Sequence, residues 1–315
     1  MILTVTPNTA LDQVLEVEHY VPGERLNVLA QAECIGGKGN LVSAFAADFG
    51  ARSVSLGFAA GKNGRRLAEL LRQRGARADF TPARGETRRI VVVVDHKRHV
   101  QTWLVAESLR VNRSAERDLE RRVSRWLPKS SWLVLCGSLP AGCSPLLYRR
   151  LTKAAHACNV PVLIDSRGPT LLQTLPARPE VMKLNMGELA ATFGARPTSR
   201  KAVGILLTAF LKEGVQWVVC TMGAGGAIAA GHEEKWSLVP PAIQARSSAG
   251  SGDAFTAALL VWRERGAAWS EALRWATAAG AAKAREARTD YLDLKAMRRV
   301  FSRVKVAMNL PSSMT

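Results

Sequence analysis

Long apolar runs are missing from this 315-residue chain. Although 47% of its residues are hydrophobic, no run approaches the roughly 20 residues that a bilayer-spanning helix needs, so no membrane partner is expected. Cysteine is scarce as well. The five present (Cys34, Cys136, Cys143, Cys158, Cys220) are odd in number and form no CxxC pair, which excludes a disulfide-stapled scaffold. Most sit in apolar stretches, as reduced, buried thiols do. Residues 1–7 carry neither a basic leader nor a long apolar region, so no signal peptide is expected and the reading is a cytoplasmic protein.

Negative charge is in short supply: 26 Asp and Glu against 44 Lys and Arg leave a formal +18. Such a balance favours anionic partners. Aromatics are also few, at 6%, and the basic residues come as dispersed pairs such as Arg65-Arg66, Arg121-Arg122 and Arg298-Arg299. With no basic tail and no aromatic-interleaved basic segment to stack bases, nucleic acid is not expected. Small anions remain open. The usual phosphate fingerprints are missing too: there is no GxxxxGK[ST], and no GxGxxG follows the first strand. His96 and His99 share a loop but lack a complete set of zinc ligands nearby, and His19, His156 and His232 are isolated, so no zinc site is expected.

What is present is an alternation of short β-branched runs with amphipathic stretches. Residues 53–58, 132–136, 160–165, 181–184 and 217–221 read as buried strands. Residues 64–73, 146–157, 198–212, 253–265 and 270–284 read as helices. This predicts an α/β fold, a three-layer sandwich with a mostly parallel central sheet covered by helices on both faces. No linker or repeat divides it, so residues 1–315 read as one domain. Segments 12–33 and 88–104 break the rhythm as short antiparallel strands with no helix after them. The second holds a hairpin, 89–94 against 100–104, and the two predict a small β-lid over the open end of the sheet.

Four turns carry the chemistry. Gly250-Ser251-Gly252-Asp253 opens a helix, where small residues leave backbone N–H groups free and the helix dipole favours an anion. An Asp in that first turn is placed to take a proton from a hydroxyl, the pairing that phosphoryl transfer requires. Thr221-Met222-Gly223-Ala224-Gly225-Gly226 follows a buried strand and offers a hydroxyl and a Gly-rich turn to phosphate. Asn185-Met186-Gly187-Glu188 puts an amide and a carboxylate at the carboxyl edge of the sheet, where Mg²⁺–phosphate could be held through water. Gly36-Gly37-Lys38-Gly39 precedes a further helix. All four are expected at strand-to-helix junctions of one sheet.

In this order, over nearly the whole chain, the motifs resemble those of the PfkB (ribokinase-like) carbohydrate kinases, within them the branch of 1-phosphofructokinases and tagatose-6-phosphate kinases. Thr6-Pro7-Asn8-Thr9-Ala10-Leu11-Asp12 is similar to that branch's opening motif, Gly36–Gly39 to its sugar-binding turn, and Gly137-Ser138-Leu139-Pro140 to its GSLP turn. The resemblance implies that Asp12, Gly37, Lys38, Asn40, Arg88 and Ser138 bind the substrate, with Arg88, Lys38 and Ser138 on its phosphate. It implies that Asn185, Glu188, Thr221, Gly223 and Gly226 serve the nucleotide, Glu188 and Asn185 reaching Mg²⁺. Asp253 becomes the base, in an anion hole built from Gly250, Ser251 and Gly252. The implied activity is transfer of the ATP γ-phosphoryl to a hydroxyl of a phosphorylated ketohexose, in a homodimer joined through the lids. The chain departs from the pattern at Leu41, which stands where the sugar-binding Asn belongs while Asn40 falls one position early. It departs again at Ser247, which bears on monovalent-cation dependence, at Thr102-Trp103-Leu104-Val105 in the lid, and at Lys283. Two other readings stay open: a non-catalytic sugar-phosphate or nucleotide sensor, and a kinase of an unphosphorylated sugar or nucleoside.

Overall fold

The computed structural model describes residues 1–107, 109–194 and 196–308. The first half of the chain supplies strands β1 (Ile2–Asn8), β2 (Ala10–Val17), β3 (Ala30–Gly36), β4 (Ser53–Ala59), β5 (Arg77–Ala78), β6 (Thr81–Pro82), β7 (Arg89–Asp95), β8 (Val100–Val105) and β9 (Trp132–Cys136). The second half supplies β10 (Val162–Asp165), β11 (Val181–Asn185), β12 (Trp217–Thr221), β13 (Ala227–Gly231), β14 (Lys235–Val239) and β15 (Lys305–Met308). Helices α1 (Lys38–Asp48), α2 (Gly61–Gln73), α3 (Arg113–Trp126), α4 (Leu147–His156) and α5 (Gly168–Thr174) come first. They are followed by α6 (Met186–Phe193), α7 (Arg200–Lys212), α8 (Ser251–Glu264), α9 (Trp269–Ala284) and α10 (Leu294–Phe301).

The main sheet runs β15-β14-β13-β12-β11-β10-β9-β1-β4-β5, with β6 also on β4. From β12 to β5 every pairing is parallel, whereas β13, β14 and β15 add on antiparallel. Side chains alternate through its buried strands. Val134, Leu163, Val181 and Val219 point into one core with α1, α2, α8, α9 and α10, while Leu133, Leu135, Ile164 and Val218 point into the other with α3 to α7. The sequence reading of helices on both faces of a mostly parallel sheet describes this architecture. It missed the antiparallel edge, where β13 is Ala- and Gly-rich (AIAAG) and gives little strand signal.

A second, four-stranded sheet has the order β3-β2-β7-β8. It is assembled from the two segments that broke the strand–helix rhythm. One detail differs from the expectation of antiparallel strands: β2 pairs with β7 in parallel, Asp12 opposite Ile90. The chain between them passes through β3, α1, β4 and α2, long enough to return in the same direction, while each hairpin stays antiparallel. Val14, Cys34, Val92 and Val94 form this sheet's own small core.

All five cysteines are free. Cys34, Cys136 and Cys220 are buried as expected, Cys143 is half-buried and Cys158 is exposed. The histidines are less isolated than their sequence spacing suggested. His96 lies 2.8 Å from Glu16, His19 3.1 Å from Asp95 and His156 3.2 Å from Glu180, because the fold brings distant carboxylates to them. No helix among the described residues is long and apolar enough to cross a membrane.

Candidate active site

Strand β1 is flanked by β4, which the chain reaches next, and by β9, from which the chain winds the other way to β12. At such a reversal the loops leaving the carboxyl ends of neighbouring strands diverge and open a crevice. A cavity of about 610 Å³ lies there. Thr6 and Asn8 from β1, Gly137 and Ser138 after β9, Ser166 and Arg167 after β10, and Asn185 and Glu188 at the end of β11 line one wall. Asp12, Arg88, Ile90 and Trp103 of the second sheet roof it. The start of α1, residues 248–250, Gly252 and Asp253 at the start of α8, and Thr289 complete it.

The site residues named from sequence therefore divide. Asp12, Gly37, Lys38, Arg88, Ser138, Asn185, Glu188, Gly250, Gly252 and Asp253 all line this cavity. Ser251 does not; it starts α8 with its hydroxyl buried and without a partner. Thr221, Gly223 and Gly226 lie one strand further on, Thr221 being the register partner of Asn185. Their turn leads into the hairpin β12–β13 and not into a helix, and residues 36–39 follow a strand of the second sheet. The expected four strand-to-helix junctions of one sheet are thus two, after β11 and before α8, beside two turns of other kinds.

Asn40 stands apart from the cavity. It is fully buried, its amide donates to the Gly36 carbonyl at 2.7 Å, and its carbonyl accepts from Ser55 at 2.6 Å. The helix α1 begins at Lys38, so Asn40 points along its buried side and Leu41 is the residue that lines the cavity. These bonds tie the turn to β4, and Asn40 does not line the cavity.

Two glycines are required by the backbone here. Gly250 has φ 76°, and a Cβ on it would run into the Thr289 carbonyl; a Cβ on Gly36 would overlap the Asp12 carboxylate. The turn before α8 is less open than its sequence suggested. The amides of Ser251 and Asp253 bond weakly to the carbonyls of Ser248 and Gly250, both at 3.2 Å, while those of Gly250 and Gly252 form no hydrogen bond among the described residues. Burial and then the Asp165 charge push Asp253 up to about 7, against the pull of Lys183 and Lys38.

The floor is an ion-pair network. Lys38 bridges Asp165 and Glu188, and Lys183 reaches the other oxygen of Asp165 at 2.7 Å. Despite burial, Lys183 and Lys38 hold Asp165 down to about 2. Asn185 and Glu188 form a capping box on α6, each side chain taking the other's backbone N–H at 2.9 Å. Asp165 and Lys183 were not singled out from sequence. The signal was there, a lysine inside the otherwise apolar strand β11 and an acid closing β10, since neither residue type is left buried without a partner.

Among the described residues no three Asp, Glu, His or Cys side chains stand close enough to hold a metal by themselves. With Glu188 and Asp165 already carrying Lys38, the donors suit a magnesium ion ligated mainly by phosphate and water. The acceptor side differs. Asp12 Oδ1, Arg88 Nε and Thr6 Oγ1 are buried with no hydrogen-bond partner among the described residues, although all three residues line the cavity. Burial, then Asp253 and Asp290, raise the Asp12 carboxyl well above its usual range, with Arg88 opposing.

A mostly parallel sheet with Asp253 at a helix start, roofed by a small second sheet, is a ribokinase-like architecture. The model of the pfkB family carbohydrate kinases matches residues 8–295, and the chain belongs to that family. It is thus a phosphotransferase with an alcohol group as acceptor. A 1-phosphofructokinase of Rhodobacter capsulatus is 31% identical over 278 residues, 88% of each chain. One of Xanthomonas campestris is 30% identical over 82% of each. Among solved structures, a possible 1-phosphofructokinase of Thermotoga maritima has a TM-score of 0.89 at 26% identity, covering 98% of this chain and 99% of that one. Phosphofructokinase-2 of Escherichia coli, in complex with substrates and products, scores 0.88 at 25%, covering 96% and 98%.

Proposed function

We propose that this protein transfers the γ-phosphoryl group of ATP to a hydroxyl of a phosphorylated ketohexose, with fructose 1-phosphate the first candidate because the curated relatives are named for it. The observation that carries the reading is the placement of Asp253 and the 250–252 turn in one cavity with Asp12 and Arg88. Asp253 takes the proton of the acceptor hydroxyl, and a pKa near 7 suits a base working near neutrality. The free amides of Gly250 and Gly252 receive the charge that develops on the transferred phosphoryl. Arg88 and Ser138 bind the phosphate the sugar already carries, Arg88 by a forked contact, and Asp12 accepts from sugar hydroxyls. Lys38 serves from the donor side, where its ion pairs hold it. The Thr221, Gly223 and Gly226 turn cradles the nucleotide phosphates. Asn185 and Glu188 would hold, through water, a magnesium ion bound with ATP, which would neutralise charge on the transferring phosphates.

The second sheet acts as a lid that excludes water from the transfer. Its outer residues Val28, Leu29, Val100, Leu104 and Val105 are each about half exposed, so a second copy of the chain, covering this face lid to lid, is the proposed partner. The apolar face comes from β8 and the 28–29 loop, since Val92 to Val94 of β7 are buried. The deciding experiment is ADP release with fructose 1-phosphate, fructose 6-phosphate, tagatose 6-phosphate and fructose. Turnover with one phosphorylated ketohexose, well above that with fructose, is expected. Measurable sugar-phosphate binding without turnover of any sugar defeats the kinase reading in favour of a sensor.

A further inference from the structure

Lys283 is among the largest fully buried side chains of the protein, and the chemistry above gives it no task. It sits in the last turn of α9, and among the described residues its ammonium has a single hydrogen bond, to the Glu286 carbonyl at 3.3 Å. Among the described residues it has no carboxylate within 4.0 Å, unlike Lys38 and Lys183. Leaving a buried ammonium without an ion pair is expensive, so a placement of this kind calls for a compensating role. Burial draws its pKa down to about 8, against the more distant Glu286, Asp290, Cys34 and Asp253.

The surroundings indicate the role. Lys283 Cε packs against Gly250, 3.2 Å from where a Cβ on that glycine would stand. The segment before the turn is tied to the same helix end, Arg246 and Ser247 donating to the Ala284 carbonyl at 2.8 and 3.1 Å. Thr289 closes the other side, its carbonyl against Gly250. Lys283 therefore stands where the loop 246–250 meets the loop 284–289, with its Cε against the backbone of Gly250 and its ammonium on the Glu286 carbonyl. Escherichia coli phosphofructokinase-2, at 25% identity, has been solved in complex with potassium. Here a lysine brings a monovalent positive charge on its own chain.

Resting on the kinase reading above, we propose that Lys283 is a positioning residue whose tethered ammonium holds the 250–253 turn in its anion-binding form, so that turnover needs no free monovalent cation. The test compares kcat, KM and calorimetric ATP affinity in potassium, sodium and tetramethylammonium buffers of equal ionic strength. The wild type is expected to give the same values in all three. Lys283→Met, checked for folding by thermal unfolding, is expected to lose about 10- to 100-fold in kcat, with KM for the sugar phosphate within about threefold. Its ATP affinity is expected to fall about tenfold. Lys283→Ala, which leaves room for an ion, is expected to regain activity with potassium or ammonium but not with tetramethylammonium.

Wild-type enzyme activated severalfold by potassium overturns the proposal, as does a folded Lys283→Met variant with unchanged kcat and ATP affinity. If the Met variant does not fold, the wild-type salt series decides. Wild-type protein that releases no ADP from any sugar phosphate in any salt defeats the kinase reading alone, and the ATP-affinity series still decides the role of Lys283.

Discussion

The two ends of the cavity are built on opposite principles. At the donor end the buried charges are paired within the protein: Lys38 and Lys183 share Asp165, Lys38 also takes Glu188, and Glu188 and Asn185 cap each other's backbone. At the acceptor end Asp12, Arg88 and Thr6 each keep a buried polar atom without a partner. A fixed, internally paired network can hold a developing charge without reorganising as it forms. Buried polar atoms that lack a partner and line a cavity can be satisfied there by an incoming molecule. On the proposed reading the transfer machinery is preorganised, and the recognition surface is left incomplete for its substrate to finish.

The largest effect that would break this contrast is expected at its centre. Asp253→Asn should lower kcat by about 10³-fold, the range of a lost general base, while ATP binding measured by calorimetry stays intact. A fall of ATP affinity equal to that in kcat would place Asp253 among the binding groups instead. The pH dependence follows from the same carboxyl. With its pKa raised to about 7, Asp253 is protonated below that point. Then kcat/KM should rise tenfold per pH unit up to about 7 and level off above it.

Stability carries the opposite sign. A carboxyl whose folded pKa lies above its unfolded value of 3.8 favours the folded state while protonated, and that advantage is lost as pH climbs from 3.8 through about 7. Asp253→Asn should therefore raise Tm at pH 8 and change it little at pH 4. Thermal scans at the two pH values check this.

Next in size is Arg88→Ala. Removing a charge-assisted contact to the substrate's phosphate should raise KM for the sugar phosphate about 30- to 100-fold with ATP affinity unchanged. If Arg88→Ala is instead indifferent to the phosphate, fructose and its phosphates being used equally, the acceptor is an unphosphorylated sugar. The two-ended contrast would then concern hydroxyls alone.

How far the sequence carried this picture depended on the kind of order involved. Strands such as Trp132–Cys136 and Trp217–Thr221 were legible to the residue because a run of apolar residues in a doubly covered parallel sheet needs no partner information. The 250–253 turn was legible because Gly250 takes a positive φ, a local demand for glycine, whereas Gly252 makes room for Lys183, a tertiary neighbour. The Lys38–Asp165–Lys183 network was not, since its members lie 127 and 18 positions apart and meet only when β10 and β11 pair beside α1. Arg88 and Asp12 could be paired by resemblance, whereas the parallel β2–β7 pairing that puts them on one roof is a tertiary fact. The one-residue ambiguity at Asn40 and Leu41 is of the same kind, because helix phase decides which of two adjacent side chains faces a cavity and only the observed start of α1 fixes that phase.

That ambiguity yields the smallest and most discriminating prediction. Asn40→Ala removes a buried amide that serves Gly36 and Ser55, leaving the Ser55 hydroxyl short of its acceptor, so it should cost about 1–3 kcal/mol and lower Tm, with KM near normal in the folded fraction. Leu41→Asn instead adds a polar group to the cavity wall without disturbing either bond. It should leave Tm within a few degrees and change KM for the preferred sugar phosphate by about threefold or less, while altering the ranking among ketohexose phosphates, because one added hydrogen bond redistributes affinity among sugar stereochemistries. If Asn40→Ala raises KM while sparing Tm, the amide reaches the substrate after all, and the acceptor end is more complete before binding than its unpartnered atoms imply.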